Sequence, residues 1–219
     1  MIRTTSPTTF YKKKELDRDD VIDITDFDVV SWLKGEMRMM LDEEIARAAL
    51  VGDGRLSSSD DKINESNVRP IWTDEDLYTI KAAIGTAKDA SSAEKAKAFI
   101  RCAIKSRKDY KGTGEPTLYT TEDMLTEMLL LEDTTGRTIY DSVEKLRTVL
   151  RVKEIVTVSV MEGLSREDKS GNNCALLGII VNPADYNIGA DKGGAVNMFD
   201  DFDIDYNAQK YLIETRISG

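Results

Sequence analysis

Histidine is absent from the 219-residue chain. Its absence removes the usual proton shuttle at neutral pH and the commonest transition-metal ligand. It also excludes Ser-His-Asp and Cys-His nucleophile systems. Cysteine is nearly absent: Cys102 and Cys174 lie far apart, form no C-x-x-C, and read as two small, reduced core residues. Long apolar runs are missing. The longest, over 176–181, is far too short to cross a bilayer, and the opening MIRTTSPTTF holds no signal core. A chain made soluble in the cytosol is expected. Bases are in the minority, 30 Lys and Arg against 40 Asp and Glu, for a formal net charge of −10. A field of that sign repels a phosphate backbone, so nucleic-acid binding by the whole surface is disfavoured, although a local basic patch stays open.

What is present suffices for a fold. The hydrophobic share of 41% supports one sizeable core or two small domains. Residues 1–24 are polar and β-prone, with Phe10, Tyr11, Val21, Ile22 and Ile24 around KKKELDRDD, and read as an arm that needs something to lie against. Asp26 is a good N-cap for the next element. From there Phe27, Val30, Leu33, Met37, Met40, Leu41, Ile45 and Ala48 recur at three- and four-residue steps. The spacing predicts an amphipathic helix over 26–51, about 25 residues and roughly 37 Å long, stopped at Gly52. A rod of that length acts as a strut beneath other elements.

Beyond a polar loop over 55–69, Thr73 and its acidic first turn predict a second helix with Leu77, Ile80, Ile84 and Ala87 as its buried side. A third helix, AEKAKAFIRCAIKSRKDY, turns Ala96, Phe99, Ile100 and Ala103 inward. Its opposite face carries Lys97, Arg101, Lys105 and Lys108. That stripe is either a solvated face or a contact with an acidic face on a neighbouring subunit. Next along the chain are a short strand PTLYTT, helices over 122–131 and 141–150, the alternating strand VKEIVTVSV and the buried strand ALLGIIV. In the tail, Asp201, Asp203 and Asp205 alternate with Phe202, Ile204 and Tyr206, and a second alternating run over 211–216 suggests a hairpin. An early helix and a late sheet flanking a mixed middle make an α+β chain with two lobes.

No stretch assembles a catalytic set. KGTGEP lacks the G-K-[ST] of a phosphate-binding loop and reads as a turn. DDFDID fails the calcium-loop pattern, because Tyr206 and Leu212 stand where glycine and glutamate belong, and reads as a strand face. DRDD at 17–20 could supply carboxylates for acid–base or metal-assisted hydrolysis, but acids are common in a chain with 32% charged residues. Trp32 and Trp72 read as core or interface anchors. The residues point away from an enzyme, and call for no cofactor or metal.

Three blocks carry a resemblance over nearly the whole chain. They are TFYKKKELDRDDVIDITDFDVVSWLKGEMRMMLDEEIARAALVGDG, RKDYKGTGEPTLYTTEDMLTEMLLLEDTTGRTIYD and VNPADYNIGADKGGAVNMFDDFDIDYNAQKYLIETRISG. In order, spacing and length they resemble the major capsid proteins of tailed bacteriophages and prophages, the family with the Hong Kong 97-type fold. The resemblance implies an α+β fold with a peripheral-domain spine helix over 25–54 and a mixed α/β axial domain over 55–192. Peripheral strands over 193–219 and the remnant of an extended loop over 1–24 complete it. The spine would pack through Phe27, Val30, Leu33, Met37, Leu41 and Ile45.

The function implied is that of a structural subunit, self-assembling into pentamers and hexamers of an icosahedral shell around double-stranded DNA. Its partners would be copies of itself, with scaffold and portal proteins; DNA would be touched only indirectly, and no membrane is involved. Its place would be the virion, after synthesis in the host cytoplasm. Family members carry a longer N-terminal arm, the outgoing half of the loop and a short segment past Ser218–Gly219, and this chain is expected to lack them. Two other readings stand beside this one: an encapsulin-like compartment shell, and an acidic carboxylate-dependent hydrolase.

Overall fold

A computed structural model describes residues 5–17, 28–60, 62–85, 90–167, 171–191 and 194–219. In chain order its elements begin with β1 (Thr8–Asp17), α1 (Val29–Leu50), α2 (Ser92–Ser106), β2 (Thr117–Thr120), α3 (Glu122–Leu129) and α4 (Val143–Leu150). They continue with β3 (Ile155–Thr157), β4 (Ser165–Glu167), β5 (Asn173–Ala175), β6 (Gly178–Val181), β7 (Gly189–Ala190), β8 (Asn197–Asp203) and β9 (Ala208–Ser218). The elements form two compact units. One comprises the described residues up to Asp74 together with Asn187–Gly219, and the other is Glu75–Tyr186. The fold is α+β, as expected.

The first unit is a helix laid on a sheet. β9 is the central strand, with β1 antiparallel on one side and β8 and the short β7 antiparallel on the other. Alternate residues of β9 face α1, so Tyr211, Ile213 and Ile217 are buried against Leu33, Met37, Leu41 and Ala48. Phe10 of β1 joins this core, and Val30, Ile45 and Met198 pack at its edge. Each large side chain so buried contributes roughly 1.5–3 kcal/mol. Phe27 and Asp26 lie outside the described residues. Asp28 caps the helix, its carboxylate accepting the Ser31 N–H at 2.9 Å. At the other end Gly52 takes a φ of 98°, and its N–H closes on the Arg47 carbonyl at 3.1 Å. The stop at Gly52 is therefore where the sequence puts it, and α1 has 22 residues, about 33 Å.

The unit boundaries differ from the expected divisions at 55 and 192. Residues 55–74 stay with α1 because their bonds and side chains go there. Ile71 N–H donates to the Ala49 carbonyl at 2.9 Å, Gly219 N–H donates to the Asn67 carbonyl at 2.8 Å, and Ile63 and Val68 are buried in the first core. The helix expected from Thr73 does not form in the described residues. Two isolated turns, Asp74 N–H to Pro70 and Thr79 N–H to Glu75, take its place. Leu77 and Ile80 are exposed, and a short helix without a surface to bury its apolar side is not stable. Ala87 lies outside the described residues.

The second unit has its own core. β2 pairs in parallel with β3 and antiparallel with β6, and α2, α3 and α4 pack around this small sheet. A capping box starts α2: Ser91 accepts the Glu94 N–H, and the Glu94 carboxylate accepts the Ser91 N–H at 2.9 Å. Ala96, Phe99, Ile100 and Ala103 are buried, as the spacing predicts, with Leu118, Met128, Leu146 and Leu150. The alternating run at 152–160 yields only the three residues of β3, because the chain then coils into a 3₁₀ turn, Ser159–Met161, that buries Met161. β4 and β5 form a separate hairpin. Cys102 and Cys174 are unbridged and half-buried, less deep than expected.

Gly178 marks the tightest approach in this unit. A methyl group there would lie 2.8 Å from the Phe99 ring and 3.1 Å from a Leu118 methyl. Both neighbours are buried and cannot retreat. Gly178→Ala is expected to cost about 1–3 kcal/mol, measured by chemical denaturation. A wild-type midpoint would show that the space between α2 and β6 is looser than these distances imply.

Candidate assembly surface

Three features remain once the cores are accounted for: a buried ionic network, a basic helix face beside a groove, and an exposed hairpin tip. The network joins β1, α1 and the loop after Gly52. Asp53 is 3% exposed, and its carboxylate accepts the Ile63 N–H at 2.7 Å, the Arg55 N–H at 3.1 Å and Lys62 Nζ at 2.6 Å. Lys62 reaches on to Glu65 at 2.6 Å, and Arg55 to Glu44 at 2.9 Å. Lys12 of β1 also bonds Glu44, at 2.6 Å. Burial alone would raise the Asp53 pKa, but the bonds from Lys62, Ile63 and Arg55 outweigh it and hold the carboxyl below its ordinary value. Burial likewise works against charge on Lys62, and the bonds to Asp53 and Glu65 outweigh it, raising its pKa. The network locks a polar loop onto the helix, and Lys12, Glu44 and Arg55 line a small recess of about 290 Å³ beside β1.

No spacing rule reveals this network. Residues 55–69 read as a plain polar loop. The available signal is local: an acid between two glycines, Gly52 and Gly54, both of which take positive φ. Such a chain reversal turns the acid's side chain inward.

The expected basic residues sit together on one exposed face. Lys97, Arg101 and Lys105 lie at successive i, i+4 positions on α2, and Lys108 comes just past its end, 4.0 Å from Asp109. Beside Lys97 and Arg101 runs an open groove of about 660 Å³. Ile100 of α2 lines it with Leu131, Glu132, Asp133, Ile139 and Tyr140 from the 131–140 turn. Asp133 is committed to its own turn, accepting the Thr135 N–H at 2.7 Å and the Arg137 N–H at 3.1 Å.

The tail forms the expected hairpin, but the alternation ends earlier than the sequence suggests. β8 stops at Asp203, and 204–207 make the turn into β9, with Asn207 at a φ of 51°. Asn tolerates that left-handed conformation better than most side chains. Asp203 is paired with Lys210, whereas Ile204 is 84% and Tyr206 75% exposed. Phe199 and Phe202 are partly exposed on β8. On the outer face of α1, Trp32 is half exposed and no core residue. Of the DRDD acids, Asp19 and Asp20 lie outside the described residues. No group of three or more Asp, Glu or Cys among the described residues is placed to hold a metal ion. None of the described helices is long and apolar enough to cross a membrane.

This α+β architecture is shared with viral shell proteins. The chain has the fold of phage capsid proteins, the fold its sequence resembles. Against the capsid of an empty GTA particle computed with C5 symmetry, the TM-score is 0.60 at 14% identity, covering 97% of this chain and 67% of that one. Against a chain from Mycobacterium phage Adephagia it is 0.53 at 10% identity, covering 97% and 64%. Against the capsid of Myoviridae phage XM1 it is 0.53 at 9% identity, covering 98% and 69%. The chain thus spans less than two thirds of the Adephagia chain's length. No family model matches the sequence, nor does any curated protein.

Proposed function

We propose that this chain is a structural subunit of a phage-type capsid, working by contact with copies of itself and not by catalysis. The observation that carries the reading is the extent of the likeness, which takes in 97% of the chain, both units included, against a capsid structure. The first unit would be the peripheral domain, with α1 as its spine and β1 as the return of an extended loop. The second would be the axial domain around five- or six-fold axes. Copies meeting through heterologous surfaces close into rings, and rings into a shell.

The chemistry of the described residues fits this role. The buried polar groups with the strongest networks serve rigidity, and the outward surfaces are charged rims and an aromatic tip. A net charge of −10 suits a wall that packaged DNA slides along without sticking. The virion, scaffold and portal contacts, and synthesis in a bacterial host belong to the same proposal.

Sedimentation velocity tests it. The purified 24.5-kDa chain is expected to form species many times its monomer mass, in proportions that rise with concentration. A single monomeric boundary at every concentration would overturn the reading.

A further inference from the structure

We infer that the β8–β9 turn of one copy docks on the basic face of α2 in a second copy. Ile204 enters the groove lined by Ile100, Leu131 and Ile139, while Asp201 and Asp205 meet Lys97 and Arg101 on its α2 side. The inference rests on the self-association proposed above and names the surfaces that carry it.

Four observations on this chain support the pairing. The tip and the stripe are opposite in sign and both exposed. Two acids at the tip, Asp201 and Asp205, lack among the described residues the close cation partner that Asp203 has in Lys210. The tip also presents Ile204, with the greatest fractional exposure of the large apolar residues among those described, at 84%. The groove beside the stripe offers an apolar lining of matching character.

The groove also sets the direction of docking. Its lining from the 131–140 turn includes Glu132 and Asp133, so acids of the incoming tip are repelled there and drawn to the α2 side. An incoming base would find the reverse. A free phosphate or nucleic-acid backbone meets the same repulsion and brings no apolar group for the apolar lining.

Charge reversal and its compensation test the pairing. Lys97→Glu and Arg101→Glu together are expected to weaken self-association about fivefold at low salt, the sum of two exposed ion pairs. Asp201→Lys and Asp205→Lys should weaken it similarly. All four positions are exposed, so circular dichroism should show unchanged melting. A chain carrying both sets should regain association to near the wild-type level. Ile204→Ser should weaken association at high salt as well, where charge is screened. If the combined variant associates no better than either parent, or the α2 reversal changes nothing, the docking is wrong and the capsid reading stands. If the wild type never associates, both fall.

Discussion

Met37→Asp is expected to leave the first unit unfolded. Met37 is fully buried beneath the sheet, between Leu33 and Leu41 on the helix face that meets β9. An unpaired carboxylate there costs several kcal/mol, and the lost apolar burial adds roughly 1.5–3 kcal/mol. Whole-domain stability is only about 5–15 kcal/mol, so one such change exhausts most of it. Met37→Leu, nearly equal in volume, should cost less than about 1.5 kcal/mol. Thermal melting monitored by circular dichroism separates the two variants. Met37→Asp melting with the wild type would mean that α1 does not bury this stripe.

Asp53→Ala should destabilise the same unit by about 3 kcal/mol, by stranding the buried Ile63 N–H and removing the anion that Lys62 and Arg55 share. Its pH signature is more specific than its size. Because Asp53 titrates below its ordinary value when folded, its contribution is fully present above the unfolded value, about pH 4. It is then lost as pH falls further, through the depressed folded value. Wild type should therefore lose stability more steeply than Asp53→Ala as pH drops below about 4. Urea denaturation across that interval measures the difference between the two slopes. Parallel loss in both chains would contradict the network.

How much of this could be read from sequence depends on the distance over which each signal acts. The stripe Val30–Leu33–Met37–Leu41 is legible because a helix repeats its buried face every turn, and one long partner sheet satisfies all of it. The same rule fails at Leu77 and Ile80, where the spacing is equally good but both side chains are exposed among the described residues. Periodicity states what a segment could bury, not whether anything lies opposite.

Strand alternation fails differently. A period of two continues unbroken from Asp201 through Tyr206, so nothing in the spacing separates the end of β8 from its turn. Asn207 is the residue that marks the reversal. Lys12, Glu44, Asp53 and Lys62 are drawn together from separate elements, and no local pattern links a lysine in a strand to an acid on a helix 32 positions later. The basic face of α2 is legible as a stripe because it is helical; its groove is not, since Leu131 and Ile139 come from a turn beyond the next helix.

The central claim is that this protein acts by meeting copies of itself. Electron microscopy of the purified protein, imaged across a range of concentrations, tests it most directly. Rings with five- or six-fold symmetry, or closed shells built from them, are the expected result. Uniform single particles of monomer size, with no ring or shell at any concentration, would contradict it.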